Sequence, residues 1–433
     1  MQTKNLKEIL NKLEISQLNA MQQEAYKTIV ENQNTVLLSP TGSGKTLAFL
    51  LPLLEDLDPD LAEVQAVILV PSRELAIQIE QVTREMGAGF KANAVYGGRA
   101  FSKDKLELQH APAILIGTPG RIADHFRRET FATKYTKTLV LDEFDKSLEV
   151  GFENEMKEII AALSGLEKRI LTSATQNIEV PGFVGLRNPK SINYLKGEQP
   201  SLEVKTIDVN PKKKLESLVH LLSGKAKGSG IIFCNYKDSI AEVSDFLQKN
   251  RIEHGIFSGG MEQKDRERSL IKFRNGTHRL LIATDLAARG IDVPEIDFII
   301  HYQLPFKASE FTHRNGRTAR MHQEGIAYVL SERKKLPDFI ETNDYKIQES
   351  KSNADAVAKT TLFISGGRKD KISKGDIAGL FLKQGNLKKD ELGLIELKQD
   401  CAFVAVPEKK AEELIGLLNN SKLKKKKVRV RYV

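Results

Sequence analysis

No apolar run in the 433 residues approaches the roughly 18–20 needed to cross a bilayer. The first ten residues, MQTKNLKEIL, lack the basic-then-apolar order of a secretory leader. Cysteine is nearly absent. The two present, Cys234 and Cys401, sit in separate apolar runs. That excludes a disulfide scaffold and leads us to expect two buried free thiols in a reducing, cytoplasmic setting. No membrane association is expected.

Charge excess is also missing from most of the chain. The net charge is +9, from 66 Lys and Arg against 57 Asp and Glu. Residues 359–433 hold 18 basic and nine acidic side chains, so the first 358 residues are balanced at 48 of each. A basic module on a neutral body points to a polyanionic partner. A merely solvated basic tail is the alternative on charge alone.

What is present is a regular alternation. Short apolar runs at 35–39, 66–70, 113–116, 138–141 and 170–172 are separated by helical patterns. A second series follows at 230–234, 254–257, 280–283, 298–301 and 325–330. Strands alternating with helices predict parallel sheets covered on both faces. Ligands then bind beyond the strand C-termini. The polar stretch 189–205 reads as a hinge, and 349–359 as a second break. The expected domains are 1–197, 203–346, a linker at 347–358, and 359–433.

The strongest local signal is Ser39-Pro40-Thr41-Gly42-Ser43-Gly44-Lys45-Thr46, between an apolar run and a helical pattern. Glycines here let backbone N–H groups face phosphates, and a helix N-terminus adds a favourable field. Lys45 suits the β- and γ-phosphates, and the Thr46 hydroxyl suits Mg²⁺. The strict P-loop pattern has Gly where this chain has Ser39. A second signal is Leu139-Val140-Leu141 running into Asp142-Glu143-Phe144-Asp145. Acids at the end of a buried strand need a compensating cation or partner. Asp142 suits Mg²⁺, and Glu143 suits positioning and deprotonating an attacking water. Taken alone, the acidic run could equally cap a helix.

Residues Asp142–Asp145 (DEFD) resemble motif II of the DEAD-box RNA helicases, with Phe144 in place of alanine. Other motifs of that family follow in order. Gln22 resembles the adenine-reading Q motif, without the usual upstream aromatic. Arg73 lies in a motif Ia-like PSREL, Gly98 in the GG pair, and Thr118 and Arg121 in TPGR. Ser173-Ala174-Thr175 resembles motif III, which couples hydrolysis to RNA. Residues 231–235 resemble motif IV, and Gln263 with Arg266 resembles QxxR. Ser258 and Gly260 stand where His and Asp are usual. Residues 283–292 resemble motif V, and 313–320 motif VI, with Ala319 for glycine.

The resemblance implies two RecA-like parallel-sheet domains in tandem. It implies an ATP site formed by Gln22, Thr41, Gly42, Ser43, Gly44, Lys45, Thr46, Asp292, Arg317 and Arg320, with ATP and Mg²⁺ as cofactors. Thr46 and Asp142 would hold the metal. Lys45, Asp142, Glu143, Arg317 and Arg320 would be catalytic, the two arginines acting as fingers on the γ-phosphate. Ser173 and Thr175 would couple. Arg73, Gly98, Thr118, Arg121 and Thr284 would hold the RNA backbone. Closure of the two halves on ATP would bend one strand and open a short duplex without processive travel.

Residues 360–433 read strand, helix, strand, strand, helix, strand, the order of an RRM-like α+β domain. They resemble the RNA-binding domain of the bacterial DbpA type of DEAD-box helicase. Lys424, Lys426, Arg429 and Arg431 are the expected RNA contacts, because Val428-Arg429-Val430-Arg431 alternates apolar with basic. Phe363 and Phe403 are the candidate stacking aromatics, and their burial is open at this point. This resemblance implies a structured ribosomal RNA hairpin as partner, a large ribosomal subunit precursor as substrate, and a monomer. A cold-shock or RNA-decay helicase and an ATP-gated RNA clamp are the alternatives.

Overall fold

The computed structural model describes every residue except 1–4, 176–178, 196–201, 225, 227, 286–292, 294–295, 319–324, 333–335, 341–342 and 346–358. The described residues up to Leu195 belong to one compact unit, and those from Leu202 onward to a second.

In the first unit seven parallel strands are β1 (Asn34–Leu38), β2 (Ala66–Leu69), β3 (Ala92–Val95), β4 (Ile114–Gly117), β5 (Thr138–Leu141), β6 (Lys168–Ser173) and β7 (Lys190–Asn193). Their order is β3-β4-β2-β5-β6-β1-β7. The central strands β2, β4 and β5 are buried at every residue, as continuous apolar runs in a parallel sheet must be. Alternate residues serve opposite faces. Ile68, Ile116 and Val140 join one core with helices α2 (Ala20–Glu31), α3 (Lys45–Glu55) and α4 (Arg73–Met86). Leu69, Leu115, Leu139 and Leu141 join another with α6 (Pro119–Arg127) and α8 (Glu153–Ala162). The helices α1 (Leu6–Lys12), α5 (Phe101–Leu108) and α7 (Phe144–Glu149) complete this unit's α-helices among the described residues. The order β5-β6-β1 sets the ends of three strands side by side, with Leu38 paired to Ser173 and Leu141 to Leu171. This adjacency builds the site.

The second unit contains another seven-stranded parallel sheet. It comprises β8 (Leu202–Val209), β9 (Gly230–Phe233), β10 (Gly255–Phe257), β11 (Leu280–Ala283), β12 (Phe298–His301), β13 (Gly325–Glu332) and β14 (Asn343–Asp344), in the order β10-β11-β9-β12-β13-β8-β14. The helices α9 (Lys214–Gly224), α10 (Lys237–Lys249) and α11 (Gln263–Arg274) flank it. The window 189–205 is therefore not all hinge: β7 and the start of β8 lie within it. β7 pairs only with β1, at the sheet margin, and buries only Ile192, so it carries little apolar signal. β8 alternates apolar and polar residues, LEVKTIDV, in a pattern the polar window obscured.

The C-terminal module has β15 (Lys359–Ile364), β16 (Ile395–Leu397), β17 (Ala402–Pro407), β18 (Lys422–Leu423), β19 (Lys426–Lys427) and β20 (Val430–Tyr432). β16-β17-β15-β20 form an antiparallel sheet. Leu362, Ile364, Val404 and Val430 point into the core with Phe381, Leu414 and Leu418. Lys427 pairs with Lys422 in a small β18–β19 hairpin. The opposite face of the sheet meets the end of α11. Arg274 makes a two-pronged pair with Glu396, at 2.7 and 2.8 Å. Buried Thr361 meets the Thr277 hydroxyl at 2.7 Å and the Asn275 amide at 3.2 Å. Both thiols are free. Cys234 is buried as expected, but Cys401 is only partly so, because it precedes β17.

Candidate nucleotide and RNA sites

The loop after β1 turns through Gly42 (φ 85°) and Gly44 (φ 89°), in the left-handed region that glycine tolerates best. At Gly44 a side chain is also excluded by space, since a Cβ would lie 2.4 Å from Gln22 Nε2. Ser39 needs no such freedom. It lies outside the left-handed region, its N–H donates to Ser173 O at 3.0 Å, and its hydroxyl donates to Ser43 Oγ at 2.7 Å. The serine thus braces the loop in place of the usual glycine. Lys45 opens α3, with its ammonium donating to the carbonyls of Ser39 (2.6 Å) and Pro40 (2.7 Å). Thr46 follows it in the first helical turn, and Thr41 precedes Gly42 in the loop.

Gln22 is the third helical residue of α2 and completes a capping box with Asn19. Its Oε1 accepts from Asn19 N–H at 3.0 Å, and its Nε2 donates to Gly44 O at 3.3 Å. The Asn19 amide adds a bond to Ser43 O at 3.1 Å. The amide that resembles an adenine reader therefore also ties α2 to the phosphate loop.

Asp142 lies at the end of β5, only 3% exposed. Burial pushes its carboxyl above the ordinary range, while the donated Thr172 hydroxyl and the Lys45 charge pull it back. Such a carboxylate favours a nearby cation. Glu143 N–H donates to Asp142 Oδ1 at 3.1 Å and to Thr172 Oγ1 at 3.2 Å. These bonds hold Glu143 in the left-handed region (φ 46°), a strained conformation for a residue with a side chain. Thr172 carries no signal in the sequence beyond its place just before Ser173. Phe144 is wholly buried in the core below the sheet, which explains how motif II accommodates it. Thr175 Oγ1 donates to Asp145 Oδ2 at 3.3 Å and lies 3.2 Å from Ser173 Oγ. Motifs II and III are thus in direct contact.

Arg73 starts α4, and its guanidinium lies against Gly97 and Gly98. A Cβ at Gly98 (φ 82°) would come within 2.4 Å of Arg73 Nη1. Thr118 caps α6. Arg121 faces inward: its Nε donates to Tyr96 O at 3.2 Å and its Nη2 to Arg99 O. It therefore staples the loop bearing the two glycines. Beneath lies Asp104, fully buried, 3.1 Å from Arg99, 3.6 Å from Arg121 and 3.5 Å from buried His125. Phe101 stacks on His125 at 4.6 Å. Nothing in FSKDKLEL marks Asp104, because its partners come from α6 and a loop. Asp104→Ala should lower the unfolding free energy by about 3 kcal/mol, since it takes the buried carboxylate away from the half-buried guanidinium groups of Arg99 and Arg121. Thermal denaturation would measure the loss, and an unchanged midpoint would refute the role.

In the second unit Arg314, 1% exposed, joins three motif-bearing segments. It pairs with Asp285 through Nε (2.6 Å) and Nη2 (2.5 Å), and donates to Gln303 O (2.7 Å) and Asn235 Oδ1 (2.8 Å). Burial, reinforced by the Arg314 charge, pushes His301 down to about 3, so its ring stays neutral beside Asn315. Arg314, Asp285 and Asn235 lie inside family motifs, but the sequence gives none of them a role. Thr284 directly follows β11. Arg317 is 6% exposed and its N–H donates to Arg314 O at 3.2 Å. Asp292 and Arg320 lie outside the described residues.

In the module, Lys424 pairs with Asp376 at 2.9 Å and Lys426 with Asp370 at 2.7 Å. Arg431 lies 4.8 Å over the Phe363 ring. Phe363 is partly exposed, and Phe403 is buried against it. Arg429 is exposed, as are Lys422, Lys425 and Lys427.

Three family models match the chain: DEAD/DEAH box helicase at residues 19–181, Helicase conserved C-terminal domain at 213–322, and DbpA RNA binding domain at 361–432. The ATP-dependent RNA helicase DbpA of Bacillus subtilis is 31% identical, aligning 95% of this chain with 93% of its own. Its Escherichia coli counterpart is 32% identical, with coverages of 98% and 96%. Among solved structures, Saccharomyces cerevisiae Dbp5 bound to RNA and ADP BeF3 is similar at a TM-score of 0.68 and 28% identity, over 76% of this chain and 88% of that one. The two parallel sheets with their phosphate loop, the third RNA-binding module and these relatives agree: the chain belongs to the DEAD-box ATP-dependent RNA helicases, among those that carry a DbpA RNA-binding domain.

Proposed function

We propose that the helicase unwinds short duplexes locally and without processive travel, in ribosomal RNA during assembly of the large ribosomal subunit. It acts as a cytoplasmic monomer whose C-terminal module grips a structured hairpin. The observation that carries this reading is the packing of the module. The sheet face that stacks bases in a standard RRM is here partly taken up by Arg274, Asn275 and Thr277 of the same unit. RNA is left the basic ridge of Lys422, Lys425, Lys427 and Arg429. Selection then rests on RNA shape and phosphate contact. Lys424, Lys426 and Arg431 would keep their internal partners or exchange them for phosphates.

In the ATP site Thr46 and Asp142 would hold Mg²⁺. Among the described residues no group of three or more acidic, His or Cys side chains could hold a metal. Mg²⁺ commonly sits on one or two protein ligands together with nucleotide phosphates and water. The ion would neutralise charge on the phosphates. Thr41 through Thr46 would cradle them, Gln22 would read adenine, Glu143 would orient water, and Ser173 and Thr175 would pass the change to the RNA site. Turnover needs both units, because Lys45 and Glu143 belong to the first and Arg317 to the second. Arg73, Gly98, Thr118 and Thr284 would line the RNA backbone, with Arg121 shaping its loop. No helix among the described residues is long and apolar enough to cross a membrane.

Substituting Lys425, Lys427 and Arg429 together by Glu in the full chain tests the grip. Stimulation of the ATPase by a ribosomal RNA hairpin should then need much more RNA. The salt slope of hairpin binding should fall by about one for each phosphate that is no longer neutralised. Stimulation by unstructured RNA should stay as it was. Equal loss with every RNA would refute selective tethering.

A further inference from the structure

Two large aromatic side chains stand exposed at the ligand-bearing edge of the second sheet. Tyr236 is 57% and Phe306 69% accessible. Their rings touch, with centroids 6.5 Å apart and planes at 63°. Single exposed apolar residues need no explanation. Two in contact, both on the side of a parallel sheet where ligands bind, do need one.

Their position follows from topology. β9 lies between β11 and β12, with Phe233 paired to both Ala283 and His301. Tyr236 caps α10 just after β9. Phe306 precedes the helix Ala308–Asn315 in the connection from β12. Thr284 directly follows β11, on the other side of β9. The three loops therefore leave adjacent strands in the same direction.

The pair is also held in place. Asn235, beside Tyr236, donates to Gln303 Oε1 at 2.8 Å and to Leu304 O at 2.9 Å, and accepts from Arg314. Phe306 N–H donates to Glu310 Oε2 at 2.9 Å. Both rings thus sit on backbone already fixed by polar bonds, so little ordering is left for binding to impose. Lys237 and Lys307 follow the two aromatics and are exposed, with Asp238 as an exposed acid nearby. The Lys237 ammonium lies over Gly260, where a Cβ would be only 3.0 Å away. Flat apolar rings flanked by ammonium groups match a partner with π-faces on an anionic backbone.

We propose that Tyr236 and Phe306 form a stacking step for an unpaired RNA base, with Lys237 and Lys307 taking the neighbouring phosphates. The proposal rests on the reading that RNA crosses this unit past Thr284. It adds a base contact to a path otherwise made of backbone contacts. Any base serves, because each has a π-face. A base inside a duplex already has both faces stacked, whereas one on a separated strand has a free face, so the step would favour the separated strand.

The chain contains no tryptophan, so Tyr236→Trp places a single indole reporter at the step in the full-length protein. An oligoadenylate of about ten nucleotides should quench this indole. An abasic RNA of the same length, with its backbone intact, should not. The double variant Tyr236→Ala with Phe306→Ala should raise the RNA concentration for half-maximal ATPase by about tenfold, with the maximal rate unchanged. Equal quenching by the abasic strand, or an unchanged RNA requirement, would overturn the step and leave the pair to a protein partner. Thr284→Asp separates the two readings. If it weakens RNA use while the aromatic variants do not, the path stands and the stacking fails. If neither matters, RNA does not cross this face.

Discussion

Replacing Glu143 by glutamine should reduce multiple-turnover ATP hydrolysis by about 10²–10⁴-fold, the usual worth of a positioned general base, while ATP and RNA still bind. Glutamine keeps the shape and hydrogen-bonding reach of the side chain but cannot take a proton. The backbone geometry makes this variant clean. Glu143 is held at φ 46° by its own N–H, which donates to Asp142 and Thr172, and neither bond involves the carboxylate. The strained conformation should therefore survive. Steady-state ATPase with saturating RNA, beside ATP and RNA binding, separates the outcomes. Unchanged turnover would remove Glu143 from the chemistry, whereas lost binding would make its role structural.

Arg317→Ala carries the second large effect. A finger arginine is worth about 10³–10⁵ in rate, so single-turnover hydrolysis should nearly vanish while RNA binding by the module persists. Arg317→Lys should recover little, since an ammonium cannot reproduce the planar two-pronged fork. The neighbouring Arg314 should behave differently. It is buried among Asp285, Gln303 and Asn235, so its loss would be felt as instability of the second unit. Single-turnover hydrolysis by the fraction that stays folded, read beside a melting curve, therefore tells the two arginines apart. Hydrolysis by Arg317→Ala at the parental rate would sink the assignment.

Short-range chemistry is legible in the order of the amino acids. The phosphate loop needs glycines at fixed steps between a strand and a helix, and Gly42 and Gly44 take the left-handed conformations that requirement implies. Asp142 and Glu143 stand at the end of a strand apolar enough to be recognised by itself. The marginal strand β7 is not legible in the same way, because one buried isoleucine makes no pattern.

Interactions between distant segments are hidden for a different reason. In TPGR, Arg121 reads as an available RNA ligand. Two of its donors also hold the carbonyls of Tyr96 and Arg99, with Asp104 buried beneath. Lys424 and Lys426 read as phosphate ligands, yet aspartates from elsewhere in the module already meet them.

The order of the motifs along the chain, the alternation of short strands with helices, and the charge concentrated in residues 359–433 were set by the sequence alone, because each is read from residues near one another in the chain. Which arginines face solvent, which acid anchors them, and which face of the RNA-binding sheet is covered were decided only by tertiary structure. A charged side chain's role depends on the dielectric and the partners around it, and folding brings those from segments tens of residues away.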